Sequence, residues 1–154
     1  LERFCERHEA KIVAVGAGDQ EPWRNDCLVV KGWSEKSEVM DISQFDIGVM
    51  PLDRETDWDK GKCGYKLIQY MACSKPVVAS PVGVNQQIVV EQHNGYLADT
   101  VEDWFNKLSL LADSQTLRQQ LGSSGRQLVE DHYCLQVTAP KLLTTITEAT
   151  HQIS

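Results

Sequence analysis

A chain of 154 residues with 42% hydrophobic content holds enough apolar side chains for one good core and too few for two, so a single domain over residues 1–154 is expected. Its 22 acidic and 15 basic residues leave a net charge of −7, which argues against general nucleic-acid binding and against adhesion to an anionic membrane surface. No apolar run approaches the ~20 residues of a membrane-spanning helix.

The chain opens on Leu1 rather than Met, which suggests a piece of a longer protein. In residues 1–10, Leu1, Phe4, Cys5 and His8 share one helical face, so this segment reads as the end of a helix. Lys11 to Gly16 follows as a buried strand, closed by Gly16-Ala17-Gly18-Asp19. A Gly-x-Gly after a strand hints at a nucleotide fingerprint, yet the third glycine is absent and Pro22-Trp23 stand where a helix should begin. The pair reads mainly as loop glycines that let the backbone approach a crevice.

Cys27 to Val30 is a second strand, leading through Gly32-Trp33 to Ser34, an expected N-cap with Glu35 and Glu38 in the first turns of a helix that reaches Gln44. Trp33 at this junction is placed equally well to stack on a base or ribose and to pack. Asp46 to Met50 is the third strand. The polar loop from Pro51 to Asp59 is long for a compact domain. Its acids are candidates for sugar hydroxyls, although for any one of them a solvated loop is the plainer reading.

Between Lys60 and Val90 there is no Asp or Glu, while Lys60, Lys62, Lys66 and Lys75 are present, so this interval is +4 and the remainder −11. A positive island in an acidic chain points to a bound anion. Gly61 and Gly64 punctuate a loop, and from Tyr65 the apolar residues Leu67, Ile68, Met71 and Ala72 form one helical stripe, leaving Lys66, Gln69, Tyr70 and Cys73 opposite. The helix dipole disfavours a first-turn cation by roughly 0.3–1 kcal/mol, so Lys66 makes most sense beside an anion. Free backbone N–H groups after a glycine loop, with a lysine, suit phosphate. Lys66 and, less directly, Lys62 are read that way; Lys60 and Lys75 are read as solubilising.

Lys75-Pro76 stops this helix, and Val77-Val78-Ala79 reads as a buried parallel strand running into Ser80-Pro81-Val82-Gly83. Ligands of open α/β sheets sit at the carboxyl ends of strands, so the loops before the helix and at Ser80 to Gly83 should face one crevice. A helix over about 85–91, a turn at His93-Asn94-Gly95 and a last strand at Tyr96 to Ala98 follow. Helices over 101–112, 115–121, 125–132 and 135 to about 152 are expected to cover the sheet, through stripes that include Trp104, Leu108, Leu111, Leu117, Leu121 and Leu128. The five cysteines (Cys5, Cys27, Cys63, Cys73, Cys134) are scattered without a C-x-x-C pair, which reads as reduced thiols in a cytosolic protein. No metal site is expected, because His8, His93, His132 and His151 form no ligand-like spacing with them.

The succession Val-Gly-x-Gly, Gly-Trp-Ser, Asp-Ile-Gly-Val-Met-Pro-Leu, the block from Tyr65 to Gly83 and Asn-Gly-Tyr-Leu-Ala resembles the C-terminal, donor-binding domain of family 4 retaining glycosyltransferases of GT-B fold, from Ile12 to about Thr145. The resemblance implies a Rossmann-like, three-layer α/β domain with a mostly parallel sheet of about five strands. It also implies that the sheet's first, central strand precedes Leu1, so that the fragment has unpaired edges and is open to dimerising or swapping strands. By the same resemblance the donor is a nucleoside diphosphate sugar of UDP or GDP type, with no other cofactor. The acceptor is a saccharide or a lipid-linked acceptor held by a separate N-terminal domain, without which the fragment should not turn over. A cytoplasmic location follows, peripheral at the inner membrane face where the acceptor is lipid-linked.

In such enzymes two glutamates mark the loop and helix, one for the donor sugar and one for the ribose; this sequence has Gly61 and Gln69 there, and Gln87 where a third is usual. Backbone N–H groups near Cys63, Gly64 and Tyr65, with the Lys66 side chain, are implied to bind the diphosphate and stabilise it as it leaves. Gln69 retains donor and acceptor atoms for a ribose hydroxyl. Gly16, Trp33 and Lys62 complete the expected donor site. Two other readings stand beside this one: a degenerate, non-catalytic α/β module that assembles with a partner, favoured by the three missing acids, and a GT-B epimerase, for which no cluster of proton-transferring residues is seen.

Overall fold

The computed structural model describes residues 1–18 and 26–151, and Pro22-Trp23, expected to stand in place of a helix, lie outside the described residues. In chain order the elements are α1 (Glu2–His8), β1 (Ile12–Val15), β2 (Leu28–Lys31), α2 (Glu38–Ser43), β3 (Gly48–Met50), α3 (Asp57–Lys60), α4 (Tyr65–Ala72), β4 (Val77–Ala79), α5 (Asn85–Ile88), β5 (Gly95–Leu97), α6 (Val101–Asp113), α7 (Gln115–His132) and α8 (Leu135–His151).

Every strand pair is parallel. The strands divide into a two-stranded sheet, β1-β2, and a three-stranded sheet in the order β3-β4-β5. Among the described residues β1 pairs only with β2 and β3 only with β4, so each has one open edge. That is where a five-stranded sheet is interrupted. It also corrects the expectation of a buried first strand: with one edge unpaired, Ile12 to Val15 are only half-buried.

Residue alternation along β4 sets the layers. Val77, Val78 and Ala79 are all fully buried, and with a period of two they face opposite ways. Val78 joins Tyr96, Phe105, Leu108 and Leu111 in a core that also takes in Phe4 and Cys5 of α1 and Cys27. Val77 and Ala79 join Leu67, Met71, Ile88 and Val129 in the other. Helices therefore cover both faces, which is why these strand residues are apolar without interruption. Each core carries its own share of the apolar burial at about 25 cal/mol per Å².

Four further expectations are corrected. The residues 115–132 form one helix, not two, because Gly122 and Gly125 lie where α7 crosses α4: a β-carbon at Gly122 would stand 2.1 Å from the Ser74 carbonyl oxygen, and one at Gly125 2.9 Å from Met71 Cγ. These glycines permit contact and do not break the helix. The helix expected from Ser34 starts at Glu38, because Ser34 closes a separate turn by accepting the Ser37 N–H on its Oγ at 3.2 Å and the Glu38 N–H on its carbonyl at 3.0 Å. Tyr70, expected opposite the apolar stripe, is half-buried against Gly48, whose missing side chain makes the slot for its ring. Residues 139–150 of α8 are exposed, including Leu142, Leu143 and Ile146, so this helix leans on α7 and does not cover the sheet.

Candidate functional site

The carboxyl ends of the strands carry the residues of interest. At the centre is the start of α4. Gly64 is its N-cap with φ +70° and no capping side chain, and the first backbone bond there runs from the Leu67 N–H to the Gly64 carbonyl at 3.0 Å. The N–H groups of Tyr65 and Lys66 lie ahead of the helical ladder, free to meet an acceptor from outside. Gly64 itself is buried beneath the next loop: a β-carbon would stand 2.5 Å from Ile88 Cδ1 and 3.1 Å from Val84 Cγ1. Gly83 is pressed against the Lys60 carbonyl in the same way, at 2.5 Å from its virtual β-carbon. The loops at 60–64 and 80–85 thus pack directly on each other, and a side chain at either glycine would part them.

To one side lies a polar cluster built from three elements. The Trp33 indole N–H donates to Glu38 Oε1 at 2.9 Å. From α4 the Gln69 side chain and, further out, the Lys66 ammonium face the same carboxylate and favour its charged form. Trp33, then Gln69, and the Lys66 charge hold the Glu38 carboxyl below the usual carboxylate range. Gly16 backs the tryptophan, its φ of +73° and absent side chain leaving only 3.0 Å between a virtual β-carbon and Trp33 Cβ. Trp33 remains 57% exposed, so its ring is held at one edge and open on its surface.

Four of the residues singled out in the sequence, Gly16, Trp33, Lys66 and Gln69, therefore converge, with Gly64 at the adjoining helix start. Lys62 is turned elsewhere. Its Nζ pairs with Asp59 Oδ1 at 2.6 Å, and Asp59 Oδ2 accepts the Asp53 N–H at 2.8 Å, so Lys62 fastens the polar loop. That lysine, then the Asp53 N–H, lower the Asp59 carboxyl from its ordinary value. Cys63 and Tyr65 are exposed at the mouth of the site. Gly61 ends α3 with its side exposed and ordinary φ of −81°. Glu38 was not singled out: the helical register that aims it across at α4 depends on the turn at Ser34, which the sequence reads as a helix start.

Over the carboxyl ends of β3, β4 and β5 lies a cavity of ≈ 330 Å³ lined by Leu52, Asp53, Arg54, Ser80, Val82, Asp99 and Thr100. Arg54 pairs with Asp99 at its wall, and Ser80 Oγ accepts the Leu52 N–H at 2.9 Å. Of the acids of the polar loop, Asp53 lines this cavity, Asp57 pairs with Lys60 and Asp59 holds Lys62. Among the described residues no group of three or more His, Cys, Asp or Glu is arranged to hold a metal ion. No described helix is long and apolar enough to cross a membrane.

Comparison with known proteins places the fold. The chain superposes on sucrose-phosphate synthase from Thermosynechococcus elongatus with a TM-score of 0.78 at 17% identity, covering 98% of this chain and 42% of that one. For Anabaena HepE in complex with UDP-glucose the TM-score is 0.75 at 11% identity, with 94% and 44% covered. For S. aureus TarM, in complex with fondaparinux, alpha-GlcNAc-glycerol and UDP, it is 0.70 at 20% identity, with 93% and 30% covered. These likenesses fix a GT-B type α/β fold. In sequence, the uncharacterized glycosyltransferase MJ1178 of Methanocaldococcus jannaschii is 38% identical over 66 residues, which is 42% of this chain and 19% of that protein. The chain spans less than half the length of each of these relatives. The family model for Glycosyl transferases group 1 matches residues 1–114, and the chain belongs to that family.

Proposed function

We propose that this chain is the donor-binding domain of a hexosyltransferase that moves a sugar from a nucleoside diphosphate sugar, of UDP or GDP type, to a saccharide or lipid-linked acceptor. The observation that carries this reading is the convergence of Trp33, Gln69 and Lys66 on one carboxylate beside the uncapped start of α4. The diphosphate lies against the Tyr65 and Lys66 N–H groups and the Lys66 ammonium, and the nucleoside lies towards Trp33. Fixed positive partners at the leaving diphosphate lower the barrier because the charge that develops there meets donors that need no rearrangement. UDP bound to TarM and UDP-glucose bound to HepE support the donor class.

In this reading the acceptor is held by a further domain, catalysis takes place between the two, and this domain alone is inactive. The enzyme works in the cytosol, at the inner membrane face where the acceptor is lipid-linked. Calorimetric titration of UDP, GDP and ADP tests the proposal: micromolar-range binding by at least one, displaced by the matching nucleotide sugar, is the expected result. Binding by none, together with no transfer by the longer protein, removes it. The reading of a non-catalytic assembly module draws on Gly61, which offers no side chain where the family places a carboxylate. Transfer of radiolabelled sugar by the longer protein excludes that module.

A further inference from the structure

We infer that Glu38 of α2 supplies the carboxylate that accepts the ribose hydroxyls of the donor, a task for which α4 itself has only the neutral Gln69. This rests on the donor-site reading above. The argument starts from what the Glu38 carboxylate lacks. An ionised carboxylate has two oxygens and about four acceptor positions, and two of its neighbours are neutral donors, the Trp33 indole N–H at 2.9 Å and the Gln69 amide. No ion pair within 4.0 Å involves Glu38 among the described residues, and Lys66 contributes only through its charge at longer range. The oriented carboxylate therefore keeps acceptor positions to offer, at a half-buried site beside an open indole surface.

Its two neighbours also set what it accepts. Trp33 fixes one oxygen and Gln69 approaches from α4, so the carboxylate presents its remaining lone pairs between an aromatic surface and an amide. An adjacent pair of hydroxyls on a ring suits that arrangement, since each O–H donates to the carboxylate while the ring lies along the indole. A diphosphate does not suit it, because two anions would repel; the diphosphate is drawn to the Lys66 ammonium at the start of α4. The cluster thus orders the donor: ribose at Glu38, phosphates at Lys66.

The test separates this role from a mere tie between α2 and α4. Glu38→Gln keeps an oxygen to accept the Trp33 N–H and removes only the charge. Titration of UDP, GDP and ADP and their 2′-deoxy and 3′-deoxy forms is carried out on the chain and on this variant, with thermal unfolding as the check on folding. The wild-type chain is expected to prefer the ribonucleotide about tenfold over a deoxy form, as loss of one charge-assisted hydrogen bond implies. Glu38→Gln reduces that preference to within about twofold, weakening the ribonucleotide more than either monodeoxy form, each of which keeps one of the two hydroxyls. Trp33→Phe, which retains a ring and removes the indole N–H, reduces it part of the way. Equal weakening of ribo and deoxy forms, or unchanged discrimination, overturns the role of Glu38 and leaves the donor site standing. Binding of no nucleotide overturns the role of Glu38 and, together with no transfer by the longer protein, the donor-site reading as well.

Discussion

Gly122 of α7 sits against Ser74, the residue that ends the turn after α4, so closely that a β-carbon would stand 2.1 Å from the Ser74 carbonyl oxygen. In an exposed helix interior, Gly→Ala stabilises by about 1 kcal/mol. Here the sign reverses, because the clash is with backbone, and overpacking of this kind costs about 1–3 kcal/mol. Gly122→Ala is expected to lower the urea midpoint, and Gly125→Ala less, since its neighbour is the flexible Met71 side chain at 2.9 Å. A raised midpoint for Gly122→Ala would show that α7 does not bear on α4 at this point.

Lys66 and Lys75 are both lysines of the positive interval, yet only Lys66 stands at the start of α4. A charged hydrogen bond to phosphate contributes about 1.5–3 kcal/mol, so Lys66→Ala should weaken UDP or GDP binding at least tenfold at low salt. Lys75→Ala should stay within about twofold. Lys62→Ala should act differently, loosening the loop that Asp59 and Asp53 hold and lowering its protection from hydrogen exchange. Calorimetry and exchange on the three variants check this; similar losses of affinity for Lys66→Ala and Lys75→Ala would reduce the site to a diffuse positive field.

How far the sequence predicted these arrangements depended on whether the cause was local. The spacing of Leu67 and Met71 was enough to fix the buried face of α4, because both are fully buried where a 3.6-residue period puts them. The unbroken apolar run Val77 to Ala79 likewise announced a strand covered on two faces. Gly122 and Gly125 misled because glycine in a sequence signals a break, and only the crossing helix shows that the missing side chain is a clearance. Glu38 was hidden for a related reason: its meaning lies in Trp33 across a turn and Gln69 on another helix, and no periodicity records contacts between elements. Lys62 carried the composition of an anion ligand, and its pairing with Asp59 three residues before it is a contact that composition does not record.

Thr100 and Asp103 form a capping box at the start of α6: Thr100 Oγ1 accepts the Asp103 N–H at 3.1 Å, and the Asp103 carboxylate accepts the Thr100 N–H at 3.0 Å. The Thr100 N–H, then its hydroxyl, hold the Asp103 carboxyl below the usual range. A carboxyl depressed in the folded state contributes stability above the unfolded value of ~3.9, and that contribution is lost as pH falls through the folded value. Asp103→Asn should therefore lower the melting temperature at pH 7 and have a diminishing effect towards pH 2 to 3. Thermal unfolding across that range decides it, and a difference independent of pH would assign the effect to side-chain shape alone.

Cys5 of α1 and Cys27 ahead of β2 are both buried and lie against each other in the core beneath α6, at the floor of a groove bordered by Glu2, Glu6, Glu9 and Asp26. Burial first, and the neighbouring Cys27 second, push the Cys5 thiol from an ordinary value of 9.0 up to about 12. At pH 8 it is therefore protonated and slow to alkylate, whereas exposed Cys63 at the candidate site should take up iodoacetamide first. The same displacement links stability to pH. Between about pH 9 and about pH 12 the unfolded chain releases the Cys5 proton while the folded chain keeps it, so stability falls as pH rises, and below the unfolded value the full contribution is present. Other groups titrate in that range, and comparing wild type with Cys5→Ala cancels them. The stability advantage of the wild type over Cys5→Ala, read from urea midpoints, should shrink from pH 8 to pH 10.5. An advantage that stays constant, or labelling of Cys5 as fast as Cys63, would mean that the thiol reaches water without unfolding and that α1 is not seated on the core as the structure has it.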